Sequence, residues 1–482
     1  MQDPSAAPPD LRQESALTAG PVRRLPQRRL SMEPAPARPA GAVQGLGLWL
    51  RDRQALLSWL QGGMVVLYAL VLLLPVLLPE GGVARIAQFL IWGLWAPGVL
   101  LSVLLFGRLW CGALCPEGAL TALASRHGRG RAIPRWMRWP GWPFASFAVV
   151  TVYGQMISVW HFPLPALLLL GGSTSAAVLV GLLYGREKRV WCRYLCPVNG
   201  LFGLLARLAP LRFAVDAAAW DSCPPERARG QRFICEPMVP VRTMDSASPC
   251  HMCGRCAGFR DAVRLEARLP GVEVVRGGGA TGWDSLLVIV GMIGLGTVAF
   301  YWNLGPWHSA LRQTLAQGLT GIGWLWPLET AAPWWLLTGP PGSEPGRVVD
   351  VAALLGVLAG MTAGLSLMVA LPLALATRLL GPWEGRRFHH LAQGLIPLAA
   401  AGLILGAGRF TVKLLRDAGW DTTAAPLGLA LLALGAGWSA VLITLSVRRH
   451  ATGTARGWLA TGAALLALPP PLATWALLVR IG

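Results

Sequence analysis

The heptapeptide Trp110-Cys-Gly-Ala-Leu-Cys-Pro116 returns 81 residues later as Trp191-Cys-Arg-Tyr-Leu-Cys-Pro197. Each copy of this W-C-x-x-L-C-P motif ends a long apolar run, and the two copies hold four of the nine cysteines. Two matched cysteines and a matched proline in each copy make chance repetition a poor explanation. The repeat therefore indicates a duplicated unit that places two thiols at the end of each apolar segment.

The composition is that of a membrane protein with several spans. The 482 residues are 54% hydrophobic and only 13% charged, with a mean hydropathy of +0.51. These values are too apolar for a soluble protein of this length. The net charge of +19 comes from arginines spread between the apolar runs. No basic face interleaved with aromatic residues is visible, so we expect no nucleic-acid partner.

A membrane-spanning helix needs roughly 20 apolar residues. By this measure the fold class is an all-α polytopic membrane protein of about nine transmembrane helices, with a small cysteine-rich polar insert. The predicted spans are about 57–79, 86–106, 142–160, 164–184, 284–304, 350–376, 391–412, 425–446 and 458–479.

The connections differ in charge. Residues 107–139 and 185–193 are rich in Lys and Arg, whereas 80–86 and 161–163 are nearly free of them. The positive-inside rule then places the N-terminus and both motifs on the cytoplasmic side of the membrane. Arg409, Lys413 and Arg416 run against this pattern. The predicted order is a disordered tail (1–49), a four-helix domain (50–209), the insert (210–282) and a C-terminal domain (283–482) with a Trp-rich outer segment (303–349).

The motif cysteines have the spacing of metal ligands. On a helix, Cys111 and Cys115 would share one face about 6 Å apart, as would Cys192 and Cys196. Two such pairs on one side of the membrane supply the four sulfurs that a 4Fe–4S cluster needs. The alternative is that the four cysteines bind no metal and are small buried residues at helix–helix contacts. Duplication of the whole motif favours a metal-binding or redox role. Gly112 would permit the close approach of a cofactor or of the partner helix beside the first thiol.

A second group of thiols lies in the polar segment. Cys250, Cys253 and Cys256 form C-x-x-C-x-x-C, a spacing that wraps three thiolates around one cluster. Position 260, where a ferredoxin run would carry its fourth cysteine, is Arg260. The fourth sulfur must come from Cys235 or Cys223, and we favour Cys235. Three cysteines with His251 could instead bind zinc, although the spacing suits a cluster better.

At these residues the sequence resembles the membrane-bound polyferredoxin family that includes the NapH, NosR and CcoG types. The resemblance covers about 57–282 and implies two C-x-x-x-C-P motifs at the cytoplasmic ends of membrane helices, followed by a ferredoxin-like segment. A second ferredoxin run is absent here, so one cluster is expected in the insert. With its extra C-terminal helices the chain is most similar to the polyferredoxin component of bacterial ferrous-iron uptake systems. That layout implies electron transfer to extracytoplasmic iron-handling partners.

The sequence thus predicts an electron-transfer component rather than a stand-alone enzyme. It would pass electrons from a cytoplasmic donor to a membrane or periplasmic redox or metal-binding partner. No histidine lies within a predicted span, so a transmembrane haem is disfavoured and a quinone is one candidate for the crossing. His161 and His308 could share a metal or quinone site, but a solvated role at the membrane interface is favoured. His389-His390 could assist a cofactor, but a role as polar residues at a helix end is favoured. The alternative functions are copper or iron handling by the thiols without cluster chemistry, and a permease with a zinc insert.

Overall fold

The computed structural model describes residues 42–78, 82–224, 233–277, 279–338, 345–419 and 425–481. Within them, eight helices are long and apolar enough to cross a membrane. In chain order, and named first to eighth span below, they are Gln54–Leu77, Val83–Phe106, Pro163–Tyr184, Gly282–Tyr301, Val348–Leu379, Ile396–Asp417, Ala425–His450 and Thr454–Arg480. The all-α polytopic class is confirmed, and the eight spans agree with the predicted ranges to within five residues.

The remaining predicted span, 142–160, which is third in chain order, is a shorter helix, Trp142–Met156, of 15 residues. At 1.5 Å per residue it is about 22 Å long, less than the hydrocarbon thickness of about 30 Å. It ends early because Ser158 adopts a left-handed conformation (φ 51°). The end of this helix contacts the segment between the fourth and fifth spans, where the Tyr153 hydroxyl donates to the Trp335 carbonyl at 2.9 Å.

Shorter helices connect and flank the spans. They are Ala42–Asp52, Leu109–Ala113, Pro116–Arg126, Val190–Tyr194, Asn199–Ala206, Ala217–Ser222, Val272–Arg276, Trp307–Gly321, Trp326–Glu329 and Gly385–Gln393. The second, third and fourth spans contain π-helical turns at Phe89–Trp95, Leu167–Gly171 and Leu287–Leu295. The eighth span bends between Leu465 and Pro469, where three consecutive prolines begin its second half.

The fourth span is the centre of the bundle. In its most apolar stretch 72% of the residues are buried, the largest share of any span. Its side chains share one core with those of the fifth, sixth and seventh spans, including Met292, Val369, Leu398 and Ile443. The fourth span thus leads from the insert directly into the middle of the molecule.

The insert has a small sheet and a core of its own. Strands β1 (Leu211–Val215) and β2 (Val263–Ala267) pair antiparallel, with Phe213 opposite Leu265. Both side chains are buried together with Met252 of the cysteine loop. The sheet therefore joins the two ends of the segment that carries the cysteines and holds their loop against it.

The predicted disordered tail of 1–49 extends too far. Residues 1–41 lie outside the described residues, but Ala42–Asp52 forms a helix. Leu50 of this helix is buried, and a Cβ placed on Gly47 would lie 2.8 Å from the Cβ of Leu265. The helix forms because one of its faces packs on the insert, a contact that local composition does not reveal.

Candidate cysteine centre

The two copies of the motif have the same backbone structure. In the first copy the N–H groups of Leu114 and Cys115 both donate to the Trp110 carbonyl, each at 2.9 Å. In the second, Leu195 and Cys196 donate to the Trp191 carbonyl at 2.9 and 3.0 Å. The repeat in sequence is therefore a repeat in structure.

One detail of the predicted geometry is wrong. Cys111 lies within Leu109–Ala113, but that helix ends before Cys115. Cys115 instead caps the next helix, Pro116–Arg126, where its sulfur accepts the Gly118 N–H at 3.4 Å. Likewise Cys192 lies inside Val190–Tyr194 and Cys196 beyond it. Each pair thus spans a helix break, because Pro at the following position begins a helix more readily than it continues one.

The structure brings the four motif thiols together. Burial raises the pKa of Cys115 well above its ordinary value, and the neighbouring Cys111 and Cys192 raise it further. Burial is also the main reason that the pKa of Cys192 is about 12, and Cys111 adds to it. The pKa of Cys196 is raised by burial, then by Glu117 and by the other three thiols. Thiols from both copies therefore lie within one electrostatic neighbourhood.

The insert thiols form a second group. Burial raises the pKa of Cys250 to about 12, and Cys253 and Cys235 contribute in the same direction. The pKa of Cys256 is raised by burial and then by Cys250, Cys253 and Cys235. Cys223 contributes to none of the shifts of the described cysteines, and its sulfur lies near the Pro224 carbonyl at 3.8 Å. Of the two candidates for a fourth ligand, only Cys235 is beside the other three.

The two groups meet at Gly112. A Cβ at this position would lie 2.1 Å from the His251 carbonyl oxygen and 3.0 Å from the Cys253 nitrogen. Both are backbone atoms, so they cannot rotate away, and only glycine allows the approach. Gly112, which follows Cys111, is therefore in direct contact with the backbone of Cys253.

Two buried arginines connect the halves of the repeat. Arg108 donates to the Ser248 carbonyl at 2.9 Å and to Asn199 Oδ1, beyond the second motif, at 2.8 Å. Arg189 donates to the Cys111 carbonyl, in the first motif, at 3.0 Å, and its Nε pairs with Glu236 at 2.5 Å. Each arginine stands two residues before the Trp of its own copy and reaches the other copy. The repeat therefore begins two residues earlier, as R-x-W-C-x-x-L-C-P. The seven-residue motif W-C-x-x-L-C-P omits this arginine, although it is visible in the sequence.

These arginines provide a test of whether the site suits an iron–sulfur group. Arg108 is 4% exposed, and within the described ranges it pairs with no carboxylate and its Nε has no hydrogen-bond partner. A buried, unpaired cation is costly unless negative charge lies nearby. Thiolates that hold a cluster carry such charge, whereas neutral thiols do not. The donor set and its surroundings therefore fit a cluster.

The remaining candidates have other neighbours. Among the described residues no group of three or more His, Cys, Asp or Glu side chains is placed to hold a single metal ion. Burial lowers the pKa of His251 well below its ordinary value, and Arg108 and Arg189 lower it further. His390 is buried and bonds to His450 at 2.8 Å and to the Val274 carbonyl, while His389 bonds to Ser285.

A site shared by His161 and His308, the less favoured of the two hypotheses for them, has no support in their contacts. His161 lies against Phe410, whereas His308 packs on Trp302 and bonds to the Asp350 carbonyl at 3.4 Å. Each histidine is thus accounted for by its own aromatic neighbour.

Comparison with known proteins supports the cysteine centre. A 4Fe–4S binding domain family matches residues 88–134 and 167–215, and each matched segment contains one copy of the repeat. YccM of Escherichia coli strain K12, named as an electron transport protein, is 23% identical over 245 residues, covering 46% of this chain and 68% of YccM.

The ferredoxin-type protein NapH of the same organism is 29% identical over 177 residues, covering 31% of this chain and 58% of NapH. No solved structure matches the chain. The matches confirm the resemblance to membrane-bound polyferredoxins that the motifs indicated.

Proposed function

We propose that this chain, which is similar to membrane-bound ferredoxin-type proteins, transfers electrons through two 4Fe–4S clusters at one face of a membrane. Cys235, Cys250, Cys253 and Cys256 would hold one cluster, and Cys111, Cys115, Cys192 and Cys196 the other. Such a cluster supplies a one-electron redox couple that changes charge without changing its ligands. Cys223 is not a ligand in this proposal.

The observation that carries the proposal is the backbone contact at Gly112. It brings Cys111 of one thiol group next to Cys253 of the other. The two groups also share the positive charge of Arg189, whose pKa is raised although burial opposes this. Glu236 is the largest favourable cause, followed by Cys192 and Cys253. Two sites in such contact suit electron exchange without a mobile carrier.

The protein's own residues have three tasks in this scheme. Arg108 and Arg189 hold positive charge among the thiols, which favours their deprotonated form. The buried bundle and insert cores exclude water from the cysteine loops. Gln54 fixes the position of the cysteine loop, because its side-chain amide donates to the Cys253 carbonyl at 2.9 Å.

We place the cysteine face in the cytoplasm and the protein in the bacterial inner membrane. The Lys- and Arg-rich connections 107–139 and 185–193 lie on this face, as the positive-inside rule requires. The electron donor is then a cytoplasmic protein, and the acceptor lies within or across the membrane. We also propose that this electron transfer supports ferrous-iron uptake, on the basis of the extra C-terminal helices that follow the insert.

The test is the metal content of the full chain purified without oxygen. Two clusters predict about eight iron and eight sulfide per chain, and EPR signals from both after reduction. Cys192→Ser and Cys253→Ser should each remove about half of the iron, from different clusters. Cys223→Ser is the matched control and should keep all of it.

Two outcomes would reject the proposal. Stoichiometric copper or zinc without sulfide would assign the thiols to metal handling without cluster chemistry. Loss of iron in Cys223→Ser but not in Cys235→Ser would refute the ligand set of the insert.

A further inference from the structure

A cavity of about 650 Å³ lies at the end of the bundle opposite the cysteines. It is formed by the far ends of the fourth and sixth spans, the start of the seventh, and the turn that follows Trp142–Met156. Its volume is within the range of small-molecule sites in proteins. It is separate from the cysteine centre and plays no part in the function proposed above.

The cavity has an apolar aromatic wall. Trp160 packs on Phe300 with ring centres 6.0 Å apart, and Phe410 packs on His161 at 6.2 Å. Leucines of the seventh and eighth spans complete this part of the lining. Such a surface suits a hydrocarbon body rather than a small hydrated ion.

The other part of the lining is basic. Arg409, Lys413 and Arg416 follow one another at about one-turn spacing along the sixth span, and all three line the cavity, with Asp417 as the acidic residue beside them. These are the cations that run against the charge pattern of the connections. Among the described residues, this part of the lining thus holds three cations and one carboxylate.

Arg409 is the decisive residue. It stands 13 residues after Ile396, about 20 Å along the sixth span, so its guanidinium lies at membrane depth. Among the described residues its Nη1 atom is buried without a hydrogen-bond partner. Ionisable side chains at such depth are costly and mark functional sites. The pKa of His161, across the cavity, is lowered by burial and then by the charge of Lys413, which agrees with positive charge on the facing wall.

We infer that this cavity binds an amphiphile with a phosphate head group. The head would lie against Arg409 and Lys413, since a guanidinium offers paired N–H donors that match phosphate oxygens. The hydrocarbon body would lie against Trp160, Phe300 and Phe410. An anionic phospholipid has both parts, whereas free phosphate has only the first.

The inference is tested by titrating the full-length protein in detergent with short-chain phosphatidylglycerol, phosphatidylcholine and inorganic phosphate. Thermal unfolding and native mass spectrometry report binding. We expect phosphatidylglycerol to bind at one site, at least tenfold tighter than the other two. Arg409→Gln should weaken this binding about tenfold to a hundredfold, and Lys413→Gln, a second variant in case the first does not fold, should weaken it as well. Arg85→Gln changes an exposed arginine outside the cavity and should have no effect.

A steric pair of variants gives an independent readout. Gly408 lines the cavity, and a Cβ there would meet no atom within 4 Å. Gly408→Leu should therefore fill the cavity and abolish binding without disturbing the helix. Gly437→Leu, at an equally open glycine of the seventh span outside the lining, is its control and should bind normally.

Three results would overturn the inference. Equal binding of phosphatidylcholine would remove the role of the charge, and equal stabilisation by inorganic phosphate would assign the site to a free anion. A neutral quinone that competes with phosphatidylglycerol and binds Arg409→Gln as well as the unaltered protein would give the cavity a different ligand.

Discussion

Arg108 and Arg189 show at the scale of single residues how the repeat is bound together. Each is buried and each reaches the opposite copy. Arg189 pairs with Glu236, which it shares with Arg255, whereas Arg108 bonds to neutral oxygens and lies 3.9 Å from the Cys111 sulfur. Arg108 is therefore the residue whose charge acts on the thiols with least compensation.

We predict that Arg108→Gln lowers the midpoint potential of the cluster held by the repeat. Reduction adds negative charge, which the arginine stabilises, so its removal disfavours the reduced state. An interaction of about 1.4 kcal/mol corresponds to about 59 mV for one electron, and we expect a shift of that order. EPR-monitored redox titration measures it, with the exposed Arg126→Gln as the control. An unchanged or raised potential in Arg108→Gln would contradict the role of this charge.

The sequence allowed the cysteines to be predicted as candidate ligands, because their spacing reflects local chain geometry. It could not decide between Cys235 and Cys223, since that choice depends on how the insert folds back on its loop. The break before Cys115 was also missed. An i, i+4 spacing implies a shared helical face only where the helix continues, and Pro116 starts a new helix instead.

At the scale of elements, the helix Ala42–Asp52 depends on tertiary contact. Its Gly47 faces Leu265 of β2, while Gly45 of the same helix has no atom within 4 Å of an added Cβ. The Arg51 side chain also donates to the Ala257 carbonyl at 3.1 Å, next to Cys256. The helix therefore supports the sheet and the cysteine loop at once.

We predict that Gly47→Leu separates this helix from the insert and destabilises it by about 1–3 kcal/mol, the usual cost of overpacking. Gly45→Leu gains the same helix propensity without the clash, so the difference between the two variants isolates the contact. Limited proteolysis and thermal unfolding of the anaerobic protein would measure it. Equal stability of the two variants would show that the helix does not need this contact.

The long spans were predicted well because about 20 consecutive apolar residues have few alternatives to a membrane helix. The short helices were not predicted well, because contacts with other parts of the chain determine where they form. Ala42–Asp52 forms against β2, and Gly385–Gln393 is separated from the sixth span by the turn at Gly394. The sequence pattern merged that segment with the span that follows, and so began the span at 391 instead of Ile396.

For the whole molecule, the short helix Trp142–Met156 decides the topology. The Thr338 N–H donates to the Met156 carbonyl at 3.1 Å, and Trp302 Nε1 donates to Gln155 at 3.1 Å. Trp302 and Thr338 flank the segment between the fourth and fifth spans, far from the cysteines. These contacts lead us to predict that the short helix makes a ninth passage, although it is about 8 Å shorter than the hydrocarbon layer of about 30 Å.

Nine passages put the two ends of the chain on opposite sides of the membrane, whereas the eight long spans alone would put them on one side. We predict that alkaline phosphatase fused to the C-terminus of the full chain is active outside the cytoplasm. Green fluorescent protein fused to the N-terminus should fluoresce inside, because Ala42–Asp52 packs on the cysteine insert. Exchanging the two reporters is the control and should silence both. Fluorescence of green fluorescent protein at both ends, with inactive phosphatase at the C-terminus, would mean that Trp142–Met156 does not cross.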